Sequence, residues 1–582
     1  MKWILCCVVI GYAFFISSCN NKNNAPPNIL LILADDQGYG DLAIHGNRVI
    51  ETPTLDALAK ESARFEKFYV SPLCAPTRAS LLTGRYHLST GVVSVSKGME
   101  IMRTGEETIA EMCKANGYVT GMFGKWHNGQ HMPNHPNGQG FDEFFGFCGG
   151  HWSNYFNTDL EENGEIVHTK GYISDVLTNK AIEFIDQNKT GPFLCYMAYN
   201  TPHTPHQVPD KYFDKYKAKG LNDELACIYG MVENMDENIN RLLTKLKNSG
   251  LDKNTIVIYL SDNGPNGVRY NDDMKGIKGS VDEGGVRVPC FWRWPGKITP
   301  HTIHAMSAHI DVMPTLKELC NLNFNNKLPM DGVSLATLLM NKKEETVRHI
   351  FYSHVAQPQI PIRDFPAAVR EDSILLVLKE NEQILYNLKN DPSQLNNIIA
   401  TNGPLAEKLK RKYDVWWQRE TKDLSYEVTI PLDERSKRVE LPGYEASFTG
   451  NIKYYEGHGW AHDWLTSWIS KQDSIIWEVE SLEDQNYSVF MQYTCPLKDI
   501  GSEVQLSLDS QIVSAKITEA FDPPFLPSPD RVKRKEAYEK PWKSLKMGDI
   551  HINKGKHRLI LKAQLIAGQS VADLNSIELM KK

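Results

Sequence analysis

Four short apolar runs constrain this chain more than anything else in it. Residues 28–34 read Asn-Ile-Leu-Leu-Ile-Leu-Ala, and 119–123, 193–198 and 255–260 share their length and character. A short run without polar alternation is how a parallel strand reads when both of its faces are buried. Helical patterns lie between the runs. One opens at Pro53 with Leu55 and Leu58 on a face, and residues 106–116 carry Ile109, Met112 and Cys113 as far as Gly117. Ile173, Val176, Leu177, Phe184 and Ile185 form a third face, broken at Gly191-Pro192. Residues 223–247 space Ile228, Met231, Met235, Ile239, Leu242 and Leu246 helically. This alternation predicts an open, mostly parallel α/β sheet with helices on both faces.

Ligands of such sheets bind beyond the carboxyl ends of the strands. There the chain places Asp35-Asp36, Gly124-Lys125-Trp126-His127, Asn200-Thr201-Pro202-His203-Thr204-Pro205-His206 and Asp262-Asn263. Asp35, Asp36, Asp262 and Asn263 offer only oxygen ligands, which suit a hard cation such as calcium or magnesium. Singly, an Asp-Asp pair is commonly a turn or cap, and Asp-Asn-Gly an ordinary turn. Their placement at two strand ends is what joins them into one predicted metal site.

The second constraint is the stretch Cys74-Ala75-Pro76-Thr77-Arg78, running on to Leu82-Thr83-Gly84-Arg85. Pro76 suits the first turn of a helix and Gly84 its end. Cys74 then sits at a helix N-terminus, where free N–H groups and the dipole favour anions. A lone cysteine in such a place is ordinarily a buried structural residue. The length of this pattern and its company point elsewhere. The stretch resembles the signature of the type I sulfatases of the alkaline phosphatase superfamily, in particular bacterial carbohydrate sulfatases, and the resemblance covers roughly residues 27–420.

The resemblance implies a chemistry. Cys74 would be oxidised to formylglycine (3-oxoalanine) by a maturase, and its side chain would join Asp35, Asp36, Asp262 and Asn263 around one calcium ion. The hydrated aldehyde would attack sulfur in line, the alcohol would leave, and the second hydroxyl would expel sulfate. Arg78, Lys125 and Lys278 would meet the charge on the sulfuryl oxygens. Lys278 lies in Lys275-Gly276-Ile277-Lys278-Gly279, whose second lysine is the better match. His127 would hydrogen-bond the formylglycine or sulfate, and His203 would serve as general acid. Asn128 departs from the family's usual leucine after that histidine.

Substrate contacts are less legible. His151, Trp152 and Asn154, in Gly150-His151-Trp152-Ser153-Asn154-Tyr155, offer stacking and hydrogen bonding for a sugar, and could equally be a packed loop. His206 is a further candidate. Two other readings stand beside a sulfatase of sulfated glycans: a phosphodiesterase or phosphonate hydrolase of the same superfamily, and a non-catalytic carbohydrate-binding lipoprotein.

At 582 residues the chain exceeds one core. Residues 27–345 are expected to form the catalytic α/β domain. Residues 346–425 are expected as a small α+β unit, with strands at 374–378 and 384–388 and a helix near 403–419. From 435 to 582 the pattern alternates with period two (Ile475, Trp477, Val479; Tyr487, Val489, Met491) and predicts an antiparallel β-sandwich. A proline-rich loop from Glu519 to Leu545 interrupts it, and its basic run Arg531–Lys535 reads as a solvated face.

Residues 1–19 read as a signal peptide: Lys2, an apolar run too short for a comfortable membrane span, then Ser17-Ser18-Cys19. The small residues before Cys19 resemble a lipobox, with a conventionally cleaved signal as the alternative. Lipidation of Cys19 would make an exported, periplasmic or membrane-anchored protein of a Gram-negative-type bacterium, touching membrane through its anchor only. A net charge of -7 without a basic stripe leaves no sign of a nucleic-acid partner. The cysteines beyond Cys6, Cys7, Cys19 and Cys74 show no paired spacing, so neither a disulfide framework nor a zinc site is expected.

Overall fold

A computed structural model describes residues 25–341, 347–355 and 363–582. The expected signal segment and Cys19 lie outside the described residues. The four apolar runs form the centre of a ten-stranded sheet. Thr255–Ser261, Asn28–Ala34, Phe193–Ala198 and Val119–Lys125 lie side by side in that order, all parallel. Leu31 pairs with Tyr196 on one side and Ile258 on the other.

Burial on both faces is what removed polar alternation from these strands. Ile29, Leu31 and Leu33 pack into one core with Ala79, Leu82, Ile109 and Met112. Leu30, Ile32 and Ala34 pack into another with Leu177, Phe184, Met231, Met235 and Leu242. Each fully buried Leu or Ile contributes on the order of 1.5–3 kcal/mol, and the polar exceptions are hydrogen-bonded, as Thr120 is to the Gly140 carbonyl at 2.7 Å. Antiparallel strands Asp159–Glu162 and Glu165–His168 finish one edge; on the other side Cys290–Arg293 runs antiparallel between Thr255–Ser261 and Ala63–Phe65, and His301–Ile303 pairs parallel with Ala63–Phe65 at the edge.

One helix is shorter than its pattern. Ile109–Lys114 replaces the expected 106–116 because Thr108 is its cap. The Thr108 hydroxyl accepts from the Glu111 amide at 3.1 Å, and the Glu111 carboxylate accepts from the Thr108 amide at 2.8 Å. This reciprocal box ends the helix there and leaves Glu106 and Glu107 outside it.

Beyond the large sheet, Ile350–His354, Ala367–Glu371, Ile374–Lys379 and Glu382–Asn387 form a four-stranded antiparallel sheet covered by the helix Gly403–Thr421. Two six-stranded sheets follow. They share a core of Ile475, Trp477, Val489, Met491, Leu561 and Ile577, and they take in Ile430–Leu432 ahead of residue 435. The protein is therefore a mixed α/β structure with added antiparallel sheets toward its C-terminus.

The basic run Arg531–Lys535 is only partly a solvated face: Lys533 and Lys535 are exposed, but the two arginines turn inward. Arg534 is 7% exposed and donates through Nη1 to the Ser153 carbonyl. Arg531 donates to the Val208 carbonyl at 2.7 Å and stacks on Phe213. Arg531 also pairs with Asp210 and Arg534 with Asp530 of its own segment, which helps these two arginines leave water. All eight described cysteines are buried and free. Among the described residues no helix is long and apolar enough to cross a membrane.

Candidate active site

The helix Cys74–Thr83 begins after extended Leu73, holds Pro76 in its first turn, and ends at Gly84 in the left-handed conformation. All ten of its residues are buried, Cys74 at 3% exposure. Burial pushes the Cys74 thiol up by more than Lys125 and Lys278 pull it down. At neutral pH it is a thiol, so unmodified Cys74 is a poor nucleophile.

Three carboxylates converge beside it. Ligand atoms of Asp35, Cys74 and Asp262 lie within 4.8 Å of one another, as do those of Asp35, Asp36 and His203. The Asp36 amide donates to Asp262 Oδ1 at 3.1 Å, tying the end of one central strand to the end of its neighbour. Asn263 Nδ2 donates to Asp36 Oδ1 at 2.8 Å. Asp35 Oδ1 and Asn263 Oδ1 are buried without a hydrogen-bond partner. Such orphaned oxygens among crowded carboxylates fit a hard divalent cation. Burial and the neighbouring Asp35 push Asp262 up to about 7, against Arg78 and Lys125.

Cations close the cluster. Arg78, fully buried, donates to Asp262 Oδ2 at 2.8 Å and to the Lys125 carbonyl at 2.8 Å. Lys125 Nζ meets Asp35 Oδ2 at 2.7 Å, and Lys278 Nζ meets Asp36 Oδ1 at 2.7 Å. Burial opposes the charge on Lys278, but Asp36, Cys74 and Asp35 together outweigh it, so its pKa rises. Burial raises the pKa of Asp35 and Asp36, but the cations, Lys125 and Lys278 foremost, take both below the ordinary carboxylate value. Behind them Arg269 pairs with Asp41 at 2.6 Å and holds the Asp36 carbonyl at 2.9 Å, a support with no signal in the sequence pattern.

The two histidines have readable tautomers. His127 Nε2 lies 2.9 Å from the Val95 carbonyl, so Nε2 carries the proton and the buried, partnerless Nδ1 is an acceptor. His203 Nδ1 donates to the Thr204 carbonyl at 2.7 Å, and its Nε2 stands 3.7 Å from Asp36. Burial, with Lys125 for His127 and Lys278 for His203, holds both rings below the ordinary histidine value. Asp36 and His127 have φ of 64° and 66°, a conformation that costs non-glycine residues on the order of 1–3 kcal/mol. Both lie at the site.

A cleft of about 460 Å³ opens over Cys74, His127, His203 and Lys278, a size typical of small-molecule sites. His151 lines it. Trp152 instead stacks on Phe147 and donates to Thr158 at 2.7 Å, and Asn154 accepts from the Phe156 amide at 3.1 Å within its own turn. His206 is buried and pushed down to about 4 by burial and Arg269. Trp152 and Asn154 are half-buried, and neither lines this cleft. The cleft wall that the motifs did not reveal comprises Ser94, Val95, Ser96, Asn266, Trp460, Ala461 and Glu536. The length of the 519–545 loop was the one available signal for Glu536.

Residues 27–322, just over half of the chain, match the family described as Sulfatase. The chain belongs to the sulfatase family. It is a sulfuric ester hydrolase, acting on sulfate esters, of the type I class in the alkaline phosphatase superfamily. Residues 278–416 of this sulfatase also match the family N-sulphoglucosamine sulphohydrolase, C-terminal. It is 29% identical over 473 residues, 66% of this chain and 84% of the other, to the uncharacterized sulfatase YdeN of Escherichia coli K12. To the N-acetylgalactosamine-6-sulfatase of Mus musculus it is 32% identical, over 56% of this chain and 68% of the other. The solved structure of Ps i-CgsB aligns with TM-score 0.65 and 31% identity, covering 69% of this chain and 95% of that one. Ps i-CgsB has also been solved in complex with k-i-k-neocarrahexaose.

Proposed function

We propose that this sulfatase removes sulfate from sulfated saccharides, using formylglycine at position 74 and one calcium ion. One observation carries the reading: the Cys74 side chain sits at the floor of a cleft beside Asp35, Asp36 and Asp262, with Arg78, Lys125 and Lys278 paired to those carboxylates. Asp35, Asp36, Asp262 and Asn263 would hold the calcium, with the residue at position 74 as a further ligand. Together calcium and formylglycine supply a nucleophile that works at neutral pH.

The chain's own residues do the rest. Lys125 and Lys278 present fixed positive charge to the sulfuryl oxygens, and Arg78 holds Asp262 in place. His127 accepts a hydrogen bond at Nδ1 from the group at position 74. His203, held by the Thr204 carbonyl at Nδ1, keeps Nε2 free to carry a proton. The negative charge of a bound sulfate ester raises its pKa, and the ring passes that proton to the departing alkoxide. The saccharide assignment draws on the oligosaccharide bound by Ps i-CgsB, on the relative that is an N-acetylgalactosamine-6-sulfatase, and on Trp460 in the cleft. Export, lipidation at Cys19 and dependence on a maturase complete the proposal.

The test joins mass spectrometry of the Cys74 peptide to sulfate release from sulfated saccharides. Turnover should scale with the aldehyde fraction, and Cys74→Ala should abolish it in a folded protein. Full turnover by the unmodified thiol, or faster cleavage of a phosphate diester than of a sulfate ester with the same leaving group, refutes the proposal.

A further inference from the structure

Glu536 reaches the cleft from outside the large sheet. The Thr204 hydroxyl, 332 residues away in the chain, donates to its Oε1, and its side chain lines the same cleft as Cys74, His203 and Lys278. The segment that delivers it is anchored on both sides. Gln207 donates to Asp530 at 2.6 Å, Arg534 donates to the Ser153 carbonyl, and Ser153 Oγ donates to the Ala537 carbonyl at 3.1 Å. Trp460, from another sandwich loop, lines the cleft too and lies flat on His458, ring centroids 4.4 Å apart.

A carboxylate is out of place in a pocket whose other charges attract sulfate. Burial pushes Glu536 up, yet His203, the Thr204 hydroxyl and Lys278 bring it below its ordinary value, so it is ionised. An ionised carboxylate only accepts hydrogen bonds. Glu536 Oε1 already accepts from Thr204 and its Oε2 from the Lys535 amide at 3.2 Å; a sugar hydroxyl adds a donor to a remaining lone pair, whereas a sulfate brings like charge and no donor.

We propose that Glu536, presented with Trp460 by the C-terminal sandwich, makes the cleft select a saccharide ring with a free hydroxyl beside the scissile sulfate over one with a second sulfate there. This rests on the saccharide reading of the active site. Selectivity comes from a repulsive element, placed where the wrong substrate carries its extra charge. Trp460 supplies an apolar face for the ring and is indifferent to its sulfation.

The experiment compares matured full-length wild type, Glu536→Gln and Trp460→Ala. Sulfate release is measured from singly sulfated and vicinally disulfated galactose, N-acetylgalactosamine and glucosamine. The readout is the ratio of kcat/KM for the single over the double sulfate. It is taken within one preparation, so misfolded or unmatured protein cancels. Wild type should favour the singly sulfated ring. Glu536→Gln keeps the acceptor for Thr204 and adds a neutral donor, and should lower the ratio at least tenfold. Trp460→Ala should raise KM for both members of a pair while leaving the ratio within about twofold. A wild type that cleaves a singly sulfated ring but shows the ratio of Glu536→Gln, or prefers the double sulfate, overturns this inference alone. A matured wild type that hydrolyses other sulfate esters but no sulfated saccharide overturns the saccharide reading and this inference with it.

Discussion

Adding one methyl group at Gly150 should cripple turnover without touching a charged residue. A Cβ built there meets His127 Nε2 at 2.6 Å and Cε1 at 2.9 Å, where ordinary contact begins near 3.4 Å. The ring must therefore shift by about 0.8 Å, or lose its 2.9 Å bond to the Val95 carbonyl. His127 is 2% exposed and has little room to retreat. Misplacing a reacting group by ~1 Å costs up to ~100-fold, so Gly150→Ala should lower kcat roughly 10–100-fold, or ~1.4–2.7 kcal/mol of barrier. The assay is steady-state sulfate release from a sulfated saccharide, with the aldehyde content of each preparation measured by mass spectrometry. Gly191→Ala, where the same added atom meets nothing within 4 Å, is the control and should match wild type. A Gly150→Ala enzyme with kcat within twofold of wild type would show that the position of His127 does not govern the rate.

Removing divalent metal should abolish activity, and calcium should restore it better than zinc, because the cluster offers oxygen donors; a fully active chelated enzyme refutes the assignment. The half-buried Glu100 is pushed up to about 7 by burial, from an ordinary 4.5. Its contribution to stability is complete below about 4.5 and is lost as pH rises through about 7, an upper bound of ~3 kcal/mol that solvent access reduces. Urea melts across this range should show the decline, and Glu100→Gln should flatten it; parallel curves for the two proteins would refute the linkage.

What the sequence revealed follows from where the physics is local. Asn28–Ala34 was legible because burial on both faces leaves a signature within seven residues. Asp35, Asp36 and Asp262 were legible as a group because a parallel sheet brings successive strand ends together, and the Asp36 amide does bond Asp262. The start at Ile109 was misread because the Thr108–Glu111 box outranks the apolar spacing that extends past it. Glu536 left only the length of its loop as a trace: its significance lies in Thr204 and His203, more than three hundred residues earlier, and chain pattern does not carry such pairings. The basic run beside it has the composition of a solvated face, and partners such as the carbonyls of Ser153 and Val208 turn its two arginines inward.

The segment carrying Glu536 also bears on how such an enzyme diverges. The groups that would break the sulfate ester lie between residues 35 and 278, on strand ends, a buried helix and the loops packed against them, and most are buried, where substitution also costs stability. Trp460 and Glu536 lie on loops of another region, and residues 524–527 near the start of the segment are exposed. Heredity can therefore rewrite the lock while the blade stays the same. Descendants of this gene should differ in which sugar they admit far sooner than in what they do to it, and the first changes should fall between 519 and 545.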